Sequence, residues 1–125
     1  MDTHVFLWAL TSDARLSSRA LEMLGDPDVQ FTLSVASVWE VLIKAQRGKL
    51  SFPSPAGPYL TDQIRRTSVS ILPVALDHAL QIDKLPLLHR DPFDRILVAQ
   101  ATVEGMALLT VDPVVAQYRG PVRIV

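Results

Sequence analysis

Cysteine is absent from the 125 residues, which excludes a disulfide framework, thiol catalysis and thiolate-bound zinc. Long hydrophobic runs are missing as well. The longest unbroken apolar stretch, Val5 to Leu10, is far short of the ~20 residues a membrane helix needs. No signal-peptide pattern opens the chain, and there is neither an internal repeat nor a low-complexity tract. Neither sign of charge dominates: 12 Lys and Arg face 13 Asp and Glu, a formal net of −1. That balance neither demands nor forbids a nucleic-acid partner. The expectation left standing is a cytoplasmic globular domain that does not engage a membrane.

What the chain does have is apolar residues, 49% against 20% charged, with a mean hydropathy of +0.25. Its length is that of one ordinary domain, residues 1–125, long enough to bury a core. So apolar a composition predicts a generous core and a surface partly covered by another subunit.

Strand and helix patterns alternate. "THVFLWALT" is short and apolar, and "SSRALEMLG" reads as a capped helix closed by Gly25. "VQFTLSV" has strand composition. "SVWEVLIKAQRGK" is helical, with Ser37 and Glu40 at capping-box spacing and Gly48 just past its end. "SFPSPAGP" is a loop inside one domain, and "PYLTDQIRRT" resumes as a helix. The strand "SVSILPV", the helix "LDHALQIDKL" and the helix "PFDRILVAQATVEG" follow. In the last, Phe93, Ile96, Leu97, Ala101 and Val103 or Glu104 fall near one stripe, and Gly105 closes it. "MALLTV" reads as a buried strand, "PVVAQY" as a brief helix and "VRIV" as a terminal strand. The alternation predicts an α/β fold with a parallel sheet covered on both faces.

Aspartates stand where strands or loops hand over to helices. Asp112 follows "MALLTV", Asp91 precedes Pro92, and Asp2 precedes "THVFLW". An Asp followed by Pro is also an ordinary helix start, because the carboxylate takes up free N–H groups and Pro wastes none. Asp94, three residues after Asp91, suits the helix dipole at N3. Glu40 has alternatives of its own, the capping box with Ser37 or an ion pair with Lys44 at i+4. Taken together, these residues share the sheet edge at which α/β folds bind ligands. Four or five carboxylates converging there repel one another, and a divalent cation makes the arrangement tolerable. Asp26-Pro27 reads as a turn, while Asp28, Asp62 and Asp83 read as solvated surface.

"MDTHVFLWAL", "SVASVWEVLIKAQRGKL", "HRDPFDRILVAQA" and "ALLTVDPVVAQY" together resemble the PIN-domain family, specifically VapC-type toxins of bacterial type II toxin–antitoxin pairs. The resemblance implies a three-layer α/β/α sandwich with a central, mostly parallel sheet, and metal-dependent endoribonuclease activity with Mg²⁺ or Mn²⁺. Carried over by position, it places the catalytic and metal-binding acids on Asp2, Glu40, Asp94 and Asp112. Asp91 becomes a further candidate ligand or a helix cap, and Thr110 a residue lining the pocket. A cognate VapB-type antitoxin and a homodimer are implied as partners. Family members place several apolar residues before the first acid as a central strand, whereas only Met1 precedes Asp2 here. That leaves three readings: the strand forms mostly after Asp2, this start lies downstream of a longer natural one, or the first strand is frayed.

All-oxygen carboxylate ligands suit Mg²⁺ or Mn²⁺ better than zinc or copper. Because an acidic site repels RNA, affinity must come from basic residues at its rim. The candidates are Lys44, Arg47 and Lys49, Arg65 and Arg66, and Arg90 and Arg95 flanking "DPFD", with Arg95 preferred because it directly follows Asp94. Ordinary surface charge is the alternative for each. His4, His78 and His89 lack paired metal-binding spacing; His89 reads as a loop or partly buried residue that can touch substrate. Trp8 and Trp39 read as core or interface rather than as base-stacking platforms. Two rival functions are a PIN-like binding module without catalysis and a phospho-accepting receiver domain. The receiver needs an acceptor Asp at the end of a mid-chain strand and a late lysine, yet "SVSILPV" ends without Asp and no lysine follows Lys84.

Overall fold

Most helices begin where a side chain can accept their free N–H groups. In the computed structural model, which describes residues 1–118 and 120–125, Asp2 caps α1 (Thr3–Thr11) and Ser17 caps α2 (Ser18–Gly25). Ser34 caps α3 (Val35–Gln46). Asp91 caps α6 (Pro92–Glu104), whose first residue is the proline and whose C-cap is Gly105 at φ +66°. That left-handed conformation suits a residue without a Cβ. Helix α4 (Ala56–Thr67) follows Pro55, and α5 (Leu76–Gln81) runs into a 3-10 turn, Ile82–Lys84.

Strands are short: β1 (Thr32–Ser34), β2 (Ser70–Leu72), β3 (Leu108–Thr110) and β4 (Val122–Ile124). β1 pairs with β2 and β3 with β4, both in parallel. Two residues stitch the pairs together. The Met1 ammonium donates to the Thr32 carbonyl at 3.3 Å, and the Asp2 N–H donates to the Leu109 carbonyl at 2.8 Å. Backbone order across the molecule is thus β2, β1, Met1–Asp2, β3, β4. Because α1 starts at Thr3, no strand forms after Asp2, which disposes of that reading of the first strand. Burial also lowers the affinity of the Met1 amine for its proton, against the opposing pull of Asp2.

Two expectations are corrected. The helix bearing Glu40 starts at Val35, and its cap is Ser34, whose Oγ accepts from the Ala36 N–H. Ser37 lies a turn inside and accepts from the Thr3 hydroxyl, so the Ser37–Glu40 capping box does not form. On α6, Val103 is exposed and Glu104 sits at the surface, while Leu97, Val98, Ala99, Gln100 and Ala101 are buried. The helix is enclosed on most sides because α5 and α3 pack on it while β3 follows it. Leu97, Val98 and Ala101 meet Ala36, Leu108, Val115 and Tyr118 in one apolar cluster. Phe6, Leu33, Val41 and Leu60 form a second beside α1 and α3.

Candidate active site

Asp2 is almost fully buried and its two carboxylate oxygens face different partners. Oδ1 accepts the Val5 N–H at 2.9 Å, which is its capping role, while Oδ2 accepts the Thr110 hydroxyl. Thr110 Oγ1 in turn accepts the Asp112 N–H at 3.0 Å. The hydroxyl at the end of β3 therefore links the acid before α1 to the acid after β3. Capping and site placement are compatible because a carboxylate has lone pairs for both.

Asp94 and Asp112 meet at one nitrogen. His89 Nε2 lies 3.2 Å from Asp94 Oδ2 and 3.2 Å from Asp112 Oδ2. These three ligating atoms all lie within 4.8 Å of one another. The other ring nitrogen, Nδ1, accepts the Asp91 N–H at 3.0 Å. Asp91 itself does what a helix cap does, with Oδ1 accepting the Phe93 N–H at 2.9 Å. Asp112 likewise accepts the Val114 N–H at 2.8 Å. Partial desolvation raises its proton affinity, but the N–H groups of Val114 and Val115 and the His89 ring outweigh it and hold the carboxyl below its ordinary value.

Glu40 is buried on α3. Its Oε2 accepts Lys44 Nζ at 2.7 Å, so the i+4 pair exists, yet Oε1 is buried with no hydrogen-bond partner. A bare carboxylate oxygen inside a protein is costly unless something cationic meets it.

The electrostatics converge on Asp94. Desolvation and the charge of Asp91, then of Asp2 and Glu40, push its carboxyl from 3.8 up to about 7, with the His89 ring offsetting part of the rise. Four carboxylates thus act on one small volume, with Asp112 beside them across the His89 ring, and the neutral form of Asp94 is favoured because it is desolvated and its neighbours are negative. The donor set is oxygen-rich with one imidazole beside it, which fits a hard divalent cation.

Of the sequence-predicted residues, Asp94 and Asp112 lie together, Asp2 joins them through Thr110, and Asp91 and Glu40 flank Asp94 closely enough to alter its proton affinity. An open groove of about 400 Å³ beside Glu40 and Asp91 is lined by Lys44, Arg47, Lys49 and Arg90. Arg65 and Arg66 end α4, and Arg66 pairs with Asp62 at 2.9 Å. Arg95 departs from expectation: its guanidinium donates to the carbonyls of Pro86 and Ile82 and to the Tyr118 hydroxyl, at 3.0, 3.3 and 3.2 Å. Following Asp94 on a helix turns a side chain about 100° away, so Arg95 faces the 82–86 segment instead of the groove.

His89 is the residue that sequence reasoning undervalued. Its position two before Asp91 was the available signal, because a ring there can reach back to the Asp91 N–H. Trp39 is 62% exposed, not core, and packs edge-on against Phe93 at 5.2 Å. Trp8 is half-buried under the Arg15 guanidinium.

The chain is similar in sequence to known proteins. Over 70 residues the chain is 39% identical to Ribonuclease VapC16 of Mycobacterium tuberculosis (strain ATCC 25618 / H37Rv), a stretch covering 56% of this chain and 47% of that protein. The match therefore spans about half of that relative. The PIN domain family model matches residues 1–121, nearly the whole sequence and every acid of the site. The chain belongs to the PIN domain family.

Proposed function

We propose that this protein is a metal-dependent endoribonuclease that hydrolyses RNA phosphodiester bonds, acting as the toxin of a toxin–antitoxin pair. The carrying observation is the burial of mutually repelling carboxylates around Asp94, whose carboxyl sits at about 7. A protein without a bound dication gains nothing from that arrangement. The likeness to a ribonuclease over 70 residues adds the substrate class.

In this reading Asp2, Asp94 and Asp112 hold Mg²⁺ or Mn²⁺, directly or through water. The orphan oxygen of Glu40 serves a second ion or orients the attacking water. A bound dication supplies Lewis-acid polarisation of the phosphate and a water of lowered pKa. Thr110 keeps the Asp2 carboxylate turned toward Asp112. Asp91 starts α6 and so sets where Asp94 points. Lys44, Arg47, Lys49 and Arg90 on the groove wall receive the RNA backbone, offsetting the repulsion of the acids. No protein nucleophile is needed, in keeping with a chain without cysteine. Partners in this reading are a VapB-type antitoxin that blocks the site and a second copy of the chain, working in the cytoplasm. No helix of the described residues is long and apolar enough to cross a membrane.

The test is purified protein incubated with total RNA and Mg²⁺. Cleavage is expected, abolished by EDTA and reduced at least ~100-fold in Asp94→Asn, the scale of losing one charge-stabilising group at a reacting phosphate. Cleavage that survives both EDTA and Asp94→Asn refutes the reading, and a folded protein that binds RNA without turnover favours the silent binding module.

A further inference from the structure

We propose that the His89 side chain is a built-in occupant of the ion site, which a divalent cation must displace before Asp94 and Asp112 can both coordinate it. This rests on the ion site described above and adds a positioning role that the carboxylates do not have. The argument begins with the tautomer. Nδ1 of His89 accepts the Asp91 N–H at 3.0 Å, so the hydrogen of the neutral ring sits on Nε2. Nε2 is the atom lying 3.2 Å from both Asp94 Oδ2 and Asp112 Oδ2. The ring therefore presents an N–H, not a lone pair, to the two oxygens that face the ion. Ligation through Nε2 would require its hydrogen to move to Nδ1, where it would meet the Asp91 N–H head-on.

The imidazole N–H and a cation thus compete for the same two oxygens. With the ring in place, the carboxylates are held within 4.8 Å of each other's ligating atoms despite their repulsion, so the pocket keeps its shape without an ion. The backbone is arranged for the ring to leave. The His89 N–H donates to the Tyr118 hydroxyl at 3.1 Å, which pins the main chain while the side chain rotates. His89 lies in a stretch, 85–91, outside helix and strand. On leaving, the ring also gives up the Asp91 N–H at the start of α6.

The experiment is calorimetric titration of Mn²⁺ into wild type, His89→Ala and His89→Gln, alongside Tm in EDTA and the wild-type His89 Cε1–H NMR signal with and without Mg²⁺. Removing the competitor is expected to tighten Mn²⁺ binding about tenfold, the scale of one hydrogen bond to a charged group. The same change should lower Tm in EDTA by a few degrees, and His89→Gln, whose amide can reach the same oxygens, should restore both toward wild type. Mg²⁺ should shift the His89 signal. Weaker or unchanged Mn²⁺ binding in His89→Ala overturns the proposal while leaving the ion site intact, as does a wild-type His89 signal indifferent to saturating Mg²⁺. A folded wild type that binds no Mn²⁺ overturns the ion site and this proposal together, a result distinguishable from the first. Should His89→Ala not fold, His89→Gln and the wild-type NMR titration still decide the matter.

Discussion

At the scale of single residues, Asp94 joins stability to chemistry. Its carboxyl titrates at about 7 in the folded chain instead of 3.8. Between those values the folded state holds a proton that the unfolded state has shed. The stabilisation this group contributes is therefore complete below about 4 and is lost as pH rises through about 7. Metal-free protein should accordingly lose Tm between those pH values from this source, and Asp94→Asn should flatten that part of the pH profile. Asp94→Asn should also raise the metal-free Tm at pH ~7.5 while removing RNA cleavage, since a neutral amide escapes both the cost of burying a charge and the repulsion of its neighbours. Thermal unfolding of both proteins in EDTA across this range checks the sign; a variant less stable than wild type at the upper end contradicts it. Protons and the cation also compete for Asp94, so half-saturation with Mg²⁺ should need more ion as pH falls below about 7.

Elements decide what each residue faces. α6 carries Asp94 toward the acids and Arg95 toward the 82–86 segment, because neighbours on a helix diverge by about 100°. Arg95 holds that segment through two carbonyls and the Tyr118 hydroxyl. Arg95→Ala should therefore cost about 1.5–3 kcal/mol in chemical denaturation, the range for hydrogen bonds from a charged donor. It should leave the salt dependence of RNA binding unchanged; a flattened slope would return Arg95 to the phosphate-binding rim. α3 shows the same division of labour. Glu40 turns inward beside the acids, Lys44 one turn later closes over it at 2.7 Å, and Trp39 turns out to solvent. Local sequence made both helices legible, since capping residues, a proline and a closing glycine bracket α6. Local sequence also misplaced the start of α3: capping-box spacing pointed to Ser37, but the cap is Ser34, where β1 ends, and Ser37 is claimed by Thr3.

For the whole molecule, opposite charges are sorted over a short distance. Asp2, Glu40, Asp91 and Asp94, with Asp112 beside them, gather at the centre, while Arg47, Lys49 and Arg90 stand exposed along the adjoining groove. A formal net charge of −1 hides that separation. Replacing Arg47 and Arg90 together by Gln should weaken RNA binding at every sequence alike and reduce the salt slope by about 2, one for each phosphate contact removed. Binding measured across a series of salt concentrations tests this, and an unchanged slope assigns the groove to something other than phosphate.

The sequence by itself determined the order of strands and helices and the aspartates that start α1 and α6, because those signals are local: periodicity, a proline after an aspartate, a glycine past a helix end. Only the tertiary structure decided which way each side chain turns and who its neighbours are. His89 belongs between Asp94 and Asp112, Arg95 away from the groove, and Met1 with Asp2 between two strand pairs. Each of those outcomes depends on segments distant in the chain arriving at one place. Nothing within a few residues of Met1 records what will be packed against it, and beside His89 the sequence records only the Asp91 N–H that its ring accepts, not the meeting with Asp112.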